Sequence, residues 1–426
     1  MTEVNASVKE VKRTRYHQRV QGKWYERADW GPAIFLSITP VFAIGTTLWY
    51  FLTEPFEWWI VGLFLFFYFA TGMSITAGYH RLFAHKAFEA GFLTRLFFAL
   101  FGAAAFQNSI LKWVVDHRPH HRYVDTPKDP YSAKNGFMFS HIWWMYSKAI
   151  RPKPEYWVKD LMKDPIVVFQ DRYYVPVAVF MGLVLPALIG WAFGSWLGGL
   201  AIAGFLRLVI VHHFTFFINS LAHYSGKQTY SDSHTAKDNP WIALFTYGEG
   251  FHNFHHEFAN DYRNGIRWYD YDPTKWLIRG LSWVGEAKNL KKIPEERIFA
   301  AKMAMEQKHM ESKIKAKTSG PRVQASIHEL QESFQELQAS FQEHLKAVQG
   351  RFEKAKVRFA SMRSEYEGIR IQKIKMKMNP QAKEQFKKRL QAARQEMKEA
   401  RREMKEAYKL WRECLRTYSQ MSLQMA

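Results

Sequence analysis

Cysteine is almost absent from this chain of 426 residues, in which Cys414 is the single example. One thiol excludes a fold built on disulfides and a structural metal site made of several thiolates. It also excludes an iron–sulfur cluster, which is held mainly by cysteine thiolates. Any metal chemistry in this protein must therefore use other ligands.

Acidic residues are scarce as well, with 39 Asp and Glu against 60 Lys and Arg, so the net charge is +21. Such an excess is typical of proteins that bind nucleic acid or an anionic membrane surface. The first thirty residues are polar and contain no apolar stretch of signal length, so a secretory signal is not expected.

Long uncharged apolar runs are what the sequence does contain. Four of them have roughly the twenty residues that a helix needs to cross about 30 Å of hydrocarbon. They predict four transmembrane helices, although the mean hydropathy of −0.32 is that of a soluble protein. The runs are residues 33–52, 58–77, 174–193 and 196–206, and the last continues through Arg207 to about residue 218.

The basic residues predict the orientation of these helices. All of them except Arg207 lie outside the four runs, and the connections at 53–57 and 194–195 carry none. The positive-inside rule places both termini and the long middle loop in the cytosol. The predicted parts are a cytosolic N-terminal segment (1–32), the membrane helices with a cytosolic loop (33–225), a cytosolic cap (226–300) and a basic tail (301–426).

Two further segments predict helices of other kinds. Residues 93–110 are apolar but contain Arg95, Gln107 and Asn108, which indicates an interfacial or re-entrant helix. In the tail, apolar residues recur every three or four positions from about Ile327, with a break at Asn379 and a following proline. This pattern predicts an antiparallel helical hairpin, and an intermolecular coiled coil fits it equally well.

Histidine supplies the most specific pattern. The spacing His-x-x-His-His occurs twice, at residues 117–121 and 252–256, and His80 and His85 follow the second apolar run. On an α-helix, positions i, i+3 and i+4 share a face, so each triplet could converge on a metal. His80 and His85 would stand about 140° apart, which suits ligands to two metals or a helix that ends between them.

These histidines predict a site for two metal ions. Imidazole favours transition metals such as iron, zinc and copper. Asn219 and His223, one helical turn apart, complete the set at the end of the fourth run. The nine candidate ligands, too many for one ion, are His80, His85, His117, His120, His121, His223, His252, His255 and His256.

With these boxes, the sequence resembles the membrane fatty acyl-CoA desaturases of the stearoyl-CoA desaturase type. The likeness extends from about residue 30 to about residue 290 and does not include the tail. The pieces that match are residues 78–85, 105–108, 116–121, 129–130, 136–141, 172–174, 219–223 and 248–256.

The resemblance implies an all-α integral membrane protein, with four membrane helices under a cytosolic helical cap that holds two non-haem irons. All nine histidines match the family's iron ligands, and Asn219 matches an asparagine that holds a metal-bound water. The implied reaction uses O₂ and two electrons to remove two hydrogens from adjacent carbons of a long-chain saturated acyl-CoA, which leaves a cis double bond at C9–C10.

The resemblance also implies positions for the substrate. Tyr68 would close the far end of an acyl tunnel, with Gly72 one turn nearer the irons. Asn108 and Asp116 match positions near the thioester, and Arg172 matches a basic position there.

The sequence departs from the family at the head-group end. Val115 stands where the family has arginine, and Phe216 stands where it has tryptophan. A lipid-linked acyl chain or another thioester carrier therefore stays an alternative substrate. A di-iron hydroxylase is an alternative activity. A membrane metal transporter is a weaker alternative, because transporters bind ions at mid-membrane, whereas the histidine boxes here lie outside the predicted spans.

The tail shows no paired-histidine haem pattern, so the electrons are expected from a separate ferredoxin, flavoprotein or b-type cytochrome. Its 28 basic and 15 acidic residues could dock an acidic carrier, lie on membrane lipids or support self-association. No nucleic-acid partner is expected. The separate carrier and the unusual tail favour a bacterial inner membrane over an endoplasmic reticulum.

Overall fold

The structure is a computed structural model that describes residues 18–318, 331–375 and 380–424. The helices in chain order are α1 (Trp24–Arg27), α2 (Trp30–Thr53), α3 (Trp58–Ala84), α4 (Phe92–Ala103), α5 (Ile110–Tyr123), α6 (Trp144–Tyr146), α7 (Pro154–Trp157), α8 (Pro165–Arg172), α9 (Tyr174–Ala192), α10 (Trp196–Tyr224), α11 (Pro240–Phe245), α12 (His252–Glu257), α13 (Pro273–Trp283), α14 (Glu295–Thr318), α15 (Gln331–Lys375) and α16 (Pro380–Gln424).

Strands contribute little to this helical protein. Those found in the described residues have two residues each, and they pair antiparallel as β1 with β3 and β2 with β4. They are β1 (Gln18–Arg19), β2 (Glu89–Ala90), β3 (Ala149–Ile150) and β4 (Ala287–Lys288).

Four helices of the described chain are long and apolar enough to cross a membrane, namely α2, α3, α9 and α10. The predicted all-α membrane architecture is therefore confirmed. The 27 residues of α3 exceed the predicted run, because the helix continues as a π-helix over Ser74–Ala84. All eleven residues of this π-helical segment are buried, so protein rather than lipid surrounds them.

The apolar segment after α3 is too short to span. α4 has 12 residues, or about 18 Å of helix, and the chain then turns through Phe106 and Asn108, both with positive φ. Arg207, the one basic residue of the fourth apolar run, is fully buried and donates to the carbonyl oxygens of Ala104, Gly182 and Ala203. The three carbonyl oxygens thus accept hydrogen bonds from a charged group that the hydrocarbon of a membrane could not solvate.

The first of two compact units covers Met1–Ile293. Its main core packs α3, α4, α5 and α8 against α13 and the segment around β4. Buried members of this core include Tyr79, Phe83, Phe98, Val114, Val167 and Ile278.

The second unit covers Pro294–Ala426 and contains α14, α15 and α16. The long helices α15 and α16 pair antiparallel within the chain, as Phe341 stacks on Tyr418 and Arg358 bonds to Glu403. α14, which the sequence did not predict, packs Met303 and Met310 into the same core around Trp411. The unit boundary therefore falls before α14, whereas the tail was predicted to start at residue 301. Part of the predicted first seam, including Ile327, lies outside the described residues.

Candidate metal centre

The π-helical end of α3 brings His80 and His85 together. In a π-helix, residue i bonds to residue i+5, so side chains five apart lie above one another. The amide of His85 donates to the carbonyl oxygen of His80 at 3.0 Å, and the two ring centroids lie 4.8 Å apart. The α-helical estimate of 140° was wrong for this pair, and both imidazoles point into one group.

The imidazoles gather in two groups, one of five histidines and one of four, and each His-x-x-His-His triplet divides between them. In α5, His117 and His121 belong to the first group, of five, and His120 belongs to the second, of four. In α12, His252 and His256 enter the second group and His255 enters the first. The expectation that each triplet converges was therefore wrong. Around an α-helix, residue i+4 lies about 40° from residue i, whereas residue i+3 is rotated from i in the opposite direction, so the middle histidine of each triplet faces the other group.

All nine predicted histidines belong to these two groups. Within each group, the ring nitrogens that could bind a metal all lie within 4.8 Å of one another. The first is the five-histidine group and the second is the four-histidine group. The five-histidine group contains His80, His85, His117, His121 and His255, and the four-histidine group contains His120, His223, His252 and His256.

The spacing of the nitrogen atoms fits two transition-metal ions. Two nitrogens about 2.1 Å from one ion and at right angles to each other lie about 3 Å apart. The Nε2 atom of His255 lies 2.9 Å from that of His80 and 3.0 Å from that of His121. In the four-histidine group, the Nε2 atoms of His252 and His256 are 3.1 Å apart. The buried Nε2 atoms of His120 and His223 have no hydrogen-bond partner among the described residues.

Four of the nine rings are held from the opposite side through Nδ1. The partner is a carboxylate or hydroxyl in every case, and it fixes which nitrogen carries the proton. The contacts are His80 with Glu249 (3.1 Å), His117 with Tyr131 (3.1 Å), His120 with Asp129 (2.8 Å) and His223 with Thr235 (2.8 Å).

Glu249 lies at the centre of a buried charge network. It accepts hydrogen bonds from Arg81 and Asn264, and Arg81 also binds Asp272 at 3.0 Å. Burial alone would raise the pKa of Glu249, but the neighbouring His80 and Arg81 lower it to about 2. Glu249 is thus a carboxylate at any pH near neutral, and it can accept the Nδ1 proton of His80.

Burial keeps the histidines neutral. For six of them it lowers the pKa well below the usual value, and the neighbouring imidazoles lower it further. The neutral imidazole is the form that binds a metal. The residues affected are His85, His117, His121, His252, His255 and His256.

A cavity of about 310 Å³ borders both histidine groups. Its wall includes His80 and His117 from the five-histidine group and His120 and His252 from the four-histidine group. Of the residues predicted by resemblance, the structure brings four to this wall: Asn108, Asp116, Phe216 and Asn219.

Three predicted residues do not line the described cavity. Tyr68 stacks on Tyr247, with ring centroids 5.0 Å apart, and donates to the carbonyl oxygen of Phe245. A methyl group at Gly72 would overlap with the Tyr247 ring, so this ring fills the space beside the glycine. Arg172 is exposed at the end of α8.

Arg151 is a cavity residue that was not predicted from the sequence. It binds Asp116 at 2.9 Å, and this ion pair raises its pKa. No local pattern marks Arg151, which lies in an irregular segment after β3. Asp129 and Glu249 were missed as partners of histidine although both lie in the matching pieces, since a contact across the fold is invisible in one sequence.

Other histidines of the described chain belong to neither group. His309 and His344 are exposed. His141 and His213 contact each other at 3.2 Å. His234 is buried, and its ring centroid lies 5.1 Å from that of His256.

Comparisons with known proteins agree with this geometry. A profile of the fatty acid desaturase family matches residues 56–282. Acyl-CoA desaturase 1 of Saccharomyces cerevisiae is 42% identical over 326 residues, which are 74% of this chain and 62% of the relative. A probable acyl-CoA desaturase of Schizosaccharomyces pombe is 42% identical over 290 residues, 67% of this chain and 59% of the relative.

A cyanobacterial relative is matched over more of its own length. The sn-1 stearoyl-lipid 9-desaturase of Synechocystis sp. is 37% identical over 250 residues, which are 58% of this chain and 76% of the relative. The chain thus spans less than two thirds of the two yeast relatives and about three quarters of the cyanobacterial one. The profile and these relatives show that the chain belongs to the fatty acid desaturase family.

Proposed function

We propose that this protein is an O₂-dependent oxidoreductase that inserts a cis double bond, at C9–C10, into a long-chain saturated acyl-CoA. The observation that supports this most is the convergence of nine imidazoles in two groups beside one cavity. Only a metal-centred oxidant can remove hydrogen from an unactivated carbon, since no side chain has the required reactivity at neutral pH.

The nine histidines would hold two iron ions, five imidazoles at one and four at the other. The chemistry that two bound irons supply is the two-electron activation of O₂, which provides the oxidant for both hydrogens. Asn219, on the cavity wall beside the four-histidine group, would hold a water through its amide.

The protein's own contribution is to orient the ligands and to place the substrate. Asp129 and Glu249 fix the proton on Nδ1 of His120 and His80, which leaves Nε2 free to bind a metal. Trp113, which also lines the cavity, stacks on His117 with ring centroids 4.5 Å apart. This stacking and the Nδ1 contacts restrict ring rotation.

The cavity wall suggests how the acyl group is held. Asn108, Asp116 and Phe216 would lie at the thioester end of the chain. Tyr68 would close the far end together with Tyr247, whose ring lies against Gly72. Arg172 would serve as a basic contact for the carrier outside the cavity.

Expression in a host that lacks desaturase activity tests the proposal, with cellular fatty acids analysed by mass spectrometry. A new C9–C10 cis alkene is expected, and His120→Ala should abolish it. His309→Ala is the matched control, because His309 is exposed on α14 and belongs to neither group. Activity retained by His120→Ala would contradict the ligand assignment, and a hydroxylated product would show that the protein is a hydroxylase.

The acyl carrier has a second candidate, a lipid-linked chain, because a relative named for a stearoyl-lipid substrate is 37% identical. Arg151 offers a way to separate the two. If CoA is the carrier, Arg151→Gln should raise KM for acyl-CoA roughly tenfold, the worth of one charge-assisted hydrogen bond. Lys112→Gln, an equal charge change at an exposed position of α5, is the control. An unchanged KM for acyl-CoA would favour the lipid-linked substrate.

The electron donor and the orientation of the protein in the membrane are the last parts of the proposal. Electrons would come from a separate ferredoxin, flavoprotein or b-type cytochrome, and reconstitution with each purified carrier, supplied in its reduced form, identifies which one supports turnover. The charge distribution supports cytosolic termini, and the separate carrier and the unusual tail favour a bacterial inner membrane over an endoplasmic reticulum. A maleimide that cannot cross membranes should label Cys414, the single cysteine, only after the membrane is opened.

A further inference from the structure

One face of α16 carries an unbroken stripe of basic side chains. Its members follow each other in steps of three, four or seven residues, which keeps them on one face. The 29 steps from the first member to the last correspond to about eight helical turns. The stripe is about 44 Å long. It consists of Lys387, Arg394, Lys398, Arg402, Lys405, Lys409 and Arg416, which are all exposed.

Charges of the two signs are segregated on this helix. Gln391 and Arg412 fill the two positions that complete the stripe, so no acidic residue interrupts it. Glu396, Glu399 and Glu403 lie on another face of the helix, and Glu406 and Glu413 border the stripe. Opposite charges at i and i+4 offset each other's field, and only Arg402 and Lys409 of the stripe have a glutamate at i+4, so most of the positive field remains.

Most of the stripe is free of ionic partners. Arg402 and Lys409 make only long contacts, of 3.7 and 3.8 Å, with glutamates one turn further on. The other five members have no acidic partner among the described residues. The basic residues that do pair closely lie at the edge of the stripe, as Arg401 and Arg412 bind Glu295 and Glu306 of α14.

We propose that this stripe is a docking surface for an anionic membrane, which it binds through lipid headgroups. A flat membrane contacts a straight 44 Å row along its whole length, whereas a small globular carrier covers only part of it. The exposed apolar side chain nearest the stripe, Leu410, lies on the acidic face, so the aromatic or apolar anchors of a protein interface are missing from the described stripe.

The rest of the chain fits the same occupant. The apolar face of α16, with Met404 and Trp411, is buried in the core of its own unit, so the helix can attach electrostatically but not insert. Pro294 follows directly on a unit with four candidate membrane helices, which gives the stripe a high effective concentration at a bilayer. Each basic residue near an anionic surface adds attraction that salt weakens.

Energy transfer in nanodiscs tests this inference with the full chain. The protein carries Cys414→Ser and Gln391→Cys, a donor dye on the new cysteine, and an acceptor on lipid headgroups. Transfer should rise when 30% phosphatidylglycerol replaces part of the phosphatidylcholine, and the rise should vanish at high salt. Neutralising four stripe residues should lower the ratio of bound to free tail on the order of a thousandfold, from about fivefold per charge. The four changes are Arg394→Gln, Lys398→Gln, Lys405→Gln and Arg416→Gln.

A matched variant removes the same charge from α15 and keeps the stripe: Lys346→Gln, Arg351→Gln, Lys354→Gln and Arg370→Gln, all at exposed positions. It should retain the full response to phosphatidylglycerol, and thermal unfolding should show that both variants fold. Equal loss in both variants, or equal transfer in both lipid compositions, would overturn the proposal. Stripe-dependent retention on immobilised polyglutamate without a lipid response would assign the stripe to an acidic protein instead.

Discussion

The Nδ1 contacts of the histidines decide how well single residues can serve as ligands. A ring held on one side presents Nε2 in one direction and in one tautomer. Asp129 is the most constrained of the partners, since it also accepts hydrogen bonds from the amides of Asp125 and Tyr131. Each partner therefore acts on metal affinity without touching the metal.

Asp129→Asn should lower metal affinity by roughly 10–100-fold, because the neutral amide is a weaker acceptor for the Nδ1 proton of His120. The measurement is metal content per chain after dialysis against a graded chelator, by mass spectrometry of the eluted ions. Asp232→Asn, at an exposed site, should lose nothing. Equal metal content in both variants would mean that His120 needs no orientation from Asp129.

Glu249 predicts a specific response to pH. Its folded pKa of about 2 lies below its ordinary value of 4.5, so its contribution to stability is fully present above 4.5 and is lost as pH falls towards 2. In the metal-free protein, Glu249→Gln should therefore unfold at a lower temperature than wild type at pH 6. The gap should shrink between pH 4.5 and 2. A constant gap across that range would show that the charge of Glu249 is not what stabilises the fold.

At the scale of elements, sequence periodicity predicted most of the architecture. The four spans, the shortness of the segment after the second span and the pairing of two long tail helices all follow from runs or spacing of apolar residues. The nine histidines were singled out by their spacing, but their division between two groups was not predicted, because positions i, i+3 and i+4 were taken to share one face.

Other elements were beyond that reasoning for physical reasons. The π-helix of α3 depends on tertiary packing around buried Tyr79 and Arg81, and an α-helical wheel gives the wrong direction for His85. α14 was missed because its apolar residues, Phe299, Met303 and Met310, are interrupted by charges and few in number. Arg151 reaches Asp116 across 35 positions, which no local pattern encodes.

The contact between the loop residue Tyr247 and α3 predicts a limit on chain length. Tyr247→Ala should open space beside Gly72 and shift preference towards longer acyl chains. A rate ratio that rises about tenfold for a chain longer by one or two carbons is expected from the usual worth of a methylene in an apolar pocket. Competing saturated thioesters of sixteen to twenty carbons measure it. Tyr269→Ala, at an exposed site, is the control, and an unchanged product profile would place the end of the tunnel elsewhere.

The whole molecule consists of two units with separate cores, and this predicts where it can be cut. A chain that ends at Ile293 should remain monodisperse in detergent and keep both metals, because its core includes no residue of α14. A chain that ends at Lys317 should aggregate, since α14 would expose Met303 and Met310. Size-exclusion chromatography and metal analysis compare the two. Aggregation of the shorter chain alone would show that the tail is part of the catalytic fold.

The cavity also touches the first turns of two candidate spans, at Pro32 and Phe35 of α2 and at Tyr174 of α9. Helix ends mark the level where hydrocarbon meets water, so the proposed acyl substrate would reach the cavity from within one leaflet. Its concentration would then be counted per area of membrane rather than per volume of solution. Adding inert lipid at constant bulk substrate should therefore slow the proposed reaction, although no soluble concentration changes.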